Sequence, residues 1–272
     1  VVLMLLIIIG NISLIGVIAS TSSLHSITNM FIISLSVSDL LVGLVVIPVN
    51  LAVPTALFNG YTTCMYAACV TVLVAIASMS NIFAVTVDRY VAITAPLHYR
   101  VRMRPTVAIA MISVAWVYAT ILGLLPILGW RVTQSTCFRG ETYPPHYTLL
   151  IFFSGCIIPV WGSGILYMRI FTLVRSHQRR ITRLMHATRR SSPPTTQVYN
   201  WTSSSRKTIK TLAILMVYFE VSWLPVFVTM ILDAFISPRL LPAWLHSLFG
   251  TLAFVNSALD PLIYGYRNRD IR

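Results

Sequence analysis

SALDPLIY, residues 257–264, places Asp260 directly before Pro261 inside an otherwise apolar run. A carboxylate at membrane depth is expensive and faces a partner or an interior cavity. The run SLSVSDLLVG, 34–43, repeats the pattern with Asp39. Working outward, both stretches sit in segments long enough to cross a hydrocarbon core of about 30 Å, which takes roughly 20 helical residues. Seven such segments occur, at about 1–19, 28–53, 64–94, 106–128, 147–174, 207–235 and 241–265. The 272 residues are 57% hydrophobic and only 10% charged, with a mean hydropathy of +0.80, a balance that a soluble domain of this size does not reach. The fold class is therefore an all-α membrane protein, a seven-transmembrane helix bundle forming a single domain over 1–272.

A formal net charge of +13 in a soluble chain would suggest nucleic acid, but the distribution of charge points to a lipid bilayer. The loops at 20–27, 95–105 and 175–206, with the tail, hold Arg100, Arg102, Arg104, Arg175, Arg179, Arg180, Arg183, Arg189, Arg190, Arg206, Arg267, Arg269 and Arg272. The opposite loops hold only Arg131, Arg139 and Arg239. The positive-inside rule puts the amino terminus outside and the tail in the cytosol, as in a multi-pass plasma-membrane protein. Residues 175–206, with RRSSPPTTQ at their centre, read as a flexible basic cytoplasmic loop. The opening VVLMLLIIIG has no initiator methionine, positive n-region or cleavage site, so it reads as a truncated span with an outer tail before it and not as a signal peptide. Pro48, Pro126, Pro159, Pro225 and Pro261 fall within spans and predict kinks.

Helical spacing places Gly250, Phe254, Ser257, Asp260, Pro261 and Tyr264 on one face of span seven, and Thr71, Ala75, Ser78, Ile82 and Arg89 roughly on one face of span three. If the helices touch, Asp39 and Asp260, with Ser78, Asn256, Ser257 and Asn11 as neutral oxygen donors, suit a small hydrated cation such as sodium. A protonated aspartate pair tied by hydrogen bonds accounts for the same residues, and spacing leaves both readings open. Of the four cysteines, Cys69 and Cys156 read as small buried thiols within helices, whereas Cys64 and Cys137 share the oxidising side, where a disulfide would pin a loop over the bundle mouth. Glu220, at mid-depth in span six, reads as a protonated carboxyl or, alternatively, as a proton sensor.

Taken together, these residues resemble the rhodopsin-like (class A) G-protein-coupled receptors along essentially the whole chain. The resemblance rests on Gly10-Asn11, SLSVSDL ending at Asp39-Leu40, Cys64, the DRY of Asp88, Arg89 and Tyr90, Trp116, Cys137, Pro159 with Tyr167, FEVSWLP with Phe219, Trp223 and Pro225, and DPLIY at 260–264. Within the class the pattern is most similar to adenosine receptors, in NSALDPLIYGYRNRDIR, PLHYR, LPILGW and TNMFIISLSVSDLLVGL. The resemblance implies a Cys64–Cys137 disulfide and a short amphipathic helix starting at the C-terminus. It implies no cofactor beyond an allosteric sodium at Asp39, Ser78, Asn256 and Ser257, with Asp260 where adenosine receptors have asparagine. Phe219 and Trp223 match a transmission switch, and Tyr167 and Tyr264 match tyrosines that rearrange near Arg89. The partners implied are a small extracellular ligand and a heterotrimeric G protein, and the implied activity is transduction, not catalysis.

The ligand pocket implied by the resemblance comprises Thr71, Val72, Ala75, Phe138, Trp223, Val226, Phe227, Met230, Gly250 and Phe254. Phe227 and Met230 replace a histidine and an asparagine of adenosine receptors, Phe254 and Ala253 replace the histidine and serine that hold ribose, and Ala75 replaces a threonine. Such a wall favours an apolar or aromatic ligand. A nucleoside receptor with a divergent pocket is the alternative. Thr71 stands where amine receptors have a carboxylate, and the only lysines, Lys207 and Lys210, sit too close to the cytosolic side for a retinal Schiff base. An intramembrane aspartyl protease built on Asp39 and Asp260 is the remote rival, lacking the YD and GxGD contexts of such enzymes. The GSG at Gly162–Gly164 has no histidine base on a nearby span.

Overall fold

The computed structural model describes residues 1–52, 61–130, 143–187, 217–236 and 240–267. The apolar runs become helices because at membrane depth each backbone N–H and C=O must be satisfied inside its own segment. Among the described residues the spans are Val2–Ser20, Ile27–Ala52, Tyr61–Thr94, Pro105–Leu124, a fifth running from Pro145 to Ala187, Val217–Phe235 and Ala243–Arg267. The first six are each long and apolar enough to cross a membrane. The seventh is long enough but is diluted by His246, Asn256 and Asp260.

Span three is the hub, packing on spans two, four and five, while span one packs on spans two and seven. The main core joins Val72, Ile76 and Met79 of span three to Ile151 and Cys156 of span five, Phe219, Trp223 and Phe227 of span six and Ala253 of span seven. Gly123 of span four lets span three approach: a Cβ there would lie 2.6 Å from Leu73 Cβ and 3.0 Å from Leu73 Cα. Thr28, at the start of span two, donates to Asp88 near the end of span three at 2.8 Å. The 20–27 and 95–105 loops thus share one end of the bundle, the basic face.

Three sequence expectations change. Span four ends at Leu124 and not near 128, because Pro126 has no N–H to continue the ladder; a turn follows in which Gly129 takes φ +124° and Trp130 N–H donates to Leu125 O at 3.1 Å. Pro126 therefore lies beyond the helix and does not kink it. Span five continues helically through Ala187, so the first part of the expected 175–206 loop is helix: RSHQRRITRLMHA contains no Gly or Pro and is rich in helix-forming residues. The rest of that loop, and the expected C-terminal amphipathic helix beyond 267, lie outside the described residues. Pro48 and Pro159 each follow a π-helical turn, Val42–Val46 and Phe152–Ile157. The extra residue in the turn absorbs the backbone group that proline leaves unpaired.

Candidate functional site

At mid-depth the two aspartates of the sequence argument meet. Ser257 Oγ donates to Asp39 Oδ1 at 2.8 Å, and the Asp39 and Asp260 carboxyls lie within hydrogen-bonding reach of each other. Both are buried, and the Oδ2 atom of each has no hydrogen-bond partner. Asn11 Nδ2 bridges Ile7 O and Ser257 O, both at 2.9 Å, and so ties span one to span seven. Ser78 and Asn256 turn to other partners. Ser78 Oγ donates to Ser38 Oγ at 3.0 Å, while Asn256 Nδ2 donates to Ser222 Oγ and to Ala253 O at 3.0 Å. The two orphaned carboxyl oxygens form an all-oxygen set that fits a hard cation, and equally a shared proton. The neighbouring hydroxyls Ser38 and Ser222 were missed because no spacing rule links them to the aspartates.

Above the carboxyls stands an aromatic ladder. Ring centroids of Phe219 and Trp223 are 6.0 Å apart, Trp223 and Phe227 6.1 Å, and Phe227 and Phe152 6.2 Å, within the range of favourable ring pairs. Val72, Ala75, Trp223 and Phe227 join one buried cluster, with Val226 and Met230 packed against it. Phe254 does not share that wall. It packs instead with Ile7, Val42, Val46, Ile47 and Val74, because Ala253, one position earlier, presents the face that meets span six. Thr71 Oγ1 donates to Ala67 O at 2.8 Å and accepts from Asn50 Nδ2 at 3.0 Å. Gly250 and Pro225 are half-buried, and Phe138 lies outside the described residues. Glu220 borders a space of about 20 Å³ with Cys156, Pro159, Phe219 and Trp223, room for about one water.

At the basic face Asp88 gathers three donors. Arg89 reaches its Oδ2 through Nε at 3.0 Å and Nη2 at 2.6 Å, Thr28 Oγ1 reaches the same oxygen at 2.8 Å, and Tyr99 OH donates to Oδ1 at 2.7 Å. Tyr99 begins the short helix Tyr99–Arg102, and burial, then its bond to Asp88, pushes its phenol above the usual value. Neither Thr28 nor Tyr99 was anticipated, although Tyr99 stands in the PLHYR stretch that follows DRY. Tyr90 is half-buried, and its C=O accepts from Thr94. Tyr167 and Tyr264 pack on one cluster with Phe31, Ala84, Val85 and Ala108. Gly10 and Pro261 approach so closely that a Cβ on the glycine would sit 3.1 Å from the ring.

Toward the opposite face, His246 Nε2 lies 2.7 Å from Asp233 Oδ2, joining spans six and seven. Sequence reading overlooked this pair, although the two residues flank one short loop. Cys64 is disulfide-bonded; Cys137, its expected partner, lies outside the described residues, and Cys69 and Cys156 are free.

A carboxyl pair beneath an aromatic ladder, with an Asp-Arg clamp at the basic end, is the order the class A motifs predict, and a family model described as 7 transmembrane receptor (rhodopsin family) matches residues 10–264. The chain belongs to the rhodopsin family of seven-transmembrane receptors. Adenosine receptor A2b of Rattus norvegicus is 30% identical over 97% of this chain and 83% of its own length, and that of Homo sapiens is 29% identical with the same coverage. Adenosine receptor A2a of Homo sapiens is 28% identical over 97% of this chain and 67% of its own length. The protein is thus a G-protein-coupled receptor and not an enzyme, which removes the aspartyl protease reading of Asp39 and Asp260.

Proposed function

We propose that this receptor sits in the plasma membrane with its amino terminus extracellular and its basic face cytosolic, and that an apolar or aromatic extracellular ligand activates a heterotrimeric G protein at that face. The observation that carries the ligand class is the ladder Phe152, Phe227, Trp223 and Phe219, with Met230 beside it. A purine placed there leaves its own donors and acceptors unpaired, at about 1–3 kcal/mol each, so two such losses lower affinity on the order of a hundredfold. Ligand contact on the ladder biases span six between two arrangements, and the G protein reads the result at Arg89. The test is nucleotide exchange on purified G protein by reconstituted receptor, with adenosine and a panel of apolar aromatic compounds. Stimulation by members of the panel, with adenosine weak, supports the reading. Potent activation by adenosine at nanomolar concentration would instead establish the nucleoside receptor that the A2b and A2a relatives suggest.

The carboxyl pair is assigned an allosteric role: Asp39 and Asp260, with Ser257 between them and span seven, would hold sodium in the inactive bundle. Replacing sodium by a bulky organic cation at constant ionic strength is expected to raise basal exchange several-fold, and Asp39→Asn to remove that dependence. Equal exchange in both salts would assign the pair to a shared proton instead.

A further inference from the structure

Glu220 is a carboxyl that neither the ligand wall nor the Asp39–Asp260 pair uses. It is half-buried at mid-depth in span six and has no hydrogen-bond partner among the described residues, although a polar group left unpaired at that depth is costly. Trp223, one helical turn away on the same face, repeats the problem with a donor in place of an acceptor: it is buried, and its Nε1–H has no hydrogen-bond partner. Both residues line one space of about 20 Å³, bounded by Met79 and Ile82 of span three and by Gly155 and Pro159 of span five. Span five brings little side chain to it, and the π-helical turn Phe152–Ile157 that precedes Pro159 is a local geometry common at functional sites. Phe227 lines the same space and also stands in the aromatic ladder. The space therefore continues the ligand wall inward, with Glu220 at its deep end.

An unpaired acceptor and an unpaired donor, bordering room for about one water, select the group that fits between them. An ammonium would satisfy Glu220 but set its own N–H groups against the indole N–H. An ether or a carbonyl would accept from Trp223 and leave Glu220 unpaired. A carboxamide can do both but is larger than the space. A hydroxyl donates to the carboxyl, whether that group is ionised or not, accepts from the indole, and matches the space in size. We infer that the ligand is an aromatic compound ending in a hydroxyl, a phenol-like group seated between Glu220 and Trp223, with its ring body against Phe227 and Phe152. This rests on the apolar or aromatic ligand class proposed above and sharpens it: the ladder holds the body, and Glu220 determines which end group is accepted. Phe219 lines the same space, so seating the hydroxyl bears directly on the two side chains that match the transmission switch.

The experiment uses purified receptor in nanodiscs and a matched probe series, biphenyl, para-hydroxybiphenyl and para-methoxybiphenyl, with binding measured against receptor-free nanodiscs. The hydroxyl compound is expected to bind about tenfold more tightly than either of the others, as the added hydrogen bonds allow. Glu220→Leu should erase that preference, and Glu220→Gln, which keeps an acceptor oxygen, should retain most of it. Infrared difference spectra should show the Glu220 carboxyl band shifting on addition of para-hydroxybiphenyl and not of biphenyl, with that band absent in Glu220→Gln. Glu220→Leu should also melt no lower than wild type, because it removes an unpaired carboxyl; a lower melting temperature would assign the carboxyl to holding the spans together instead. Equal binding of the three probes, or a hydroxyl preference that survives Glu220→Leu, would overturn the inference while leaving the aromatic ligand class in place. Binding of adenosine by a receptor that binds none of the three probes would overturn that class and the inference together.

Discussion

Asp88 spends both carboxylate oxygens on local donors: Thr28 and Arg89 on one, Tyr99 on the other. A hydrogen bond to a charged group is worth about 1.5–3 kcal/mol, so the Tyr99 hydroxyl contributes materially to holding the carboxylate against Arg89. Tyr99→Phe is expected to loosen that clamp and raise basal nucleotide exchange about threefold or more, measured in membranes at matched receptor density; unchanged exchange would place the clamp in Thr28 alone. The same phenol makes a pH prediction. Its folded value is raised above the usual 10.0, by burial first and by Asp88 next, so the folded protein holds this proton more tightly than the unfolded chain does. The corresponding stability is complete below about pH 10 and is lost as pH rises through the raised value. Melting curves from pH 8 to 11 should show a steeper alkaline loss for wild type than for Tyr99→Phe.

Helix lengths and breaks follow local chemistry more closely than apolar-run lengths do. The run ending at LPILGW looks continuous in hydropathy, yet a proline without an N–H and a glycine at positive φ turn the chain out after Leu124. Conversely, the charged stretch after Val174 looks like loop by polarity but keeps helix-forming residues through Ala187. Gly123 shows what inter-helix spacing depends on: Gly123→Val is expected to force spans three and four apart at Leu73 and Cys69, costing about 1–3 kcal/mol through overpacking, read as lower melting temperature and surface expression. The His246–Asp233 pair is a second element-scale tie, with side chains 10% and 4% exposed. Removing one partner leaves a buried polar group uncompensated, so His246→Ala should cost about 3 kcal/mol of stability. The double change to His246→Leu with Asp233→Leu should recover much of the loss. An unchanged melting temperature in His246→Ala would show that the pair is solvated in the membrane-embedded protein.

Across the whole bundle, the sequence exposed the span count and the charge asymmetry, because these rest on hydropathy and on the placement of arginines; it offered Asp39 and Asp260 as a pair only on the condition that their helices touch. It did not expose which neutral side chains turn toward those carboxylates: Ser257 does, while Ser78 and Asn256 bond elsewhere, a choice made by packing geometry between spans and not by spacing along one. Nor did it reveal that Phe254 packs away from the ladder. One global feature is nonetheless read from sequence alone. No Asp or Glu occurs between Glu141 and Glu220, so the basic-face end of span six has no carboxylate to give Arg89, whose carboxylate contact is with the adjacent Asp88. Arg206 and Lys207 stand near that end in sequence and, outside the described residues, add positive charge of the same sign as Arg89. A partly exposed charge contact is worth about 1 kcal/mol, enough to move a minor active population several-fold. Ligand-free receptor is therefore expected to stimulate nucleotide exchange above receptor-free membranes, with Ser205→Glu lowering the rate and Arg89→Ala cutting it strongly through lost contact with the G protein. Basal exchange equal to receptor-free membranes, unaltered by Ser205→Glu, would mean that the three donors on Asp88 and the ladder at Trp223 suffice to keep span six closed.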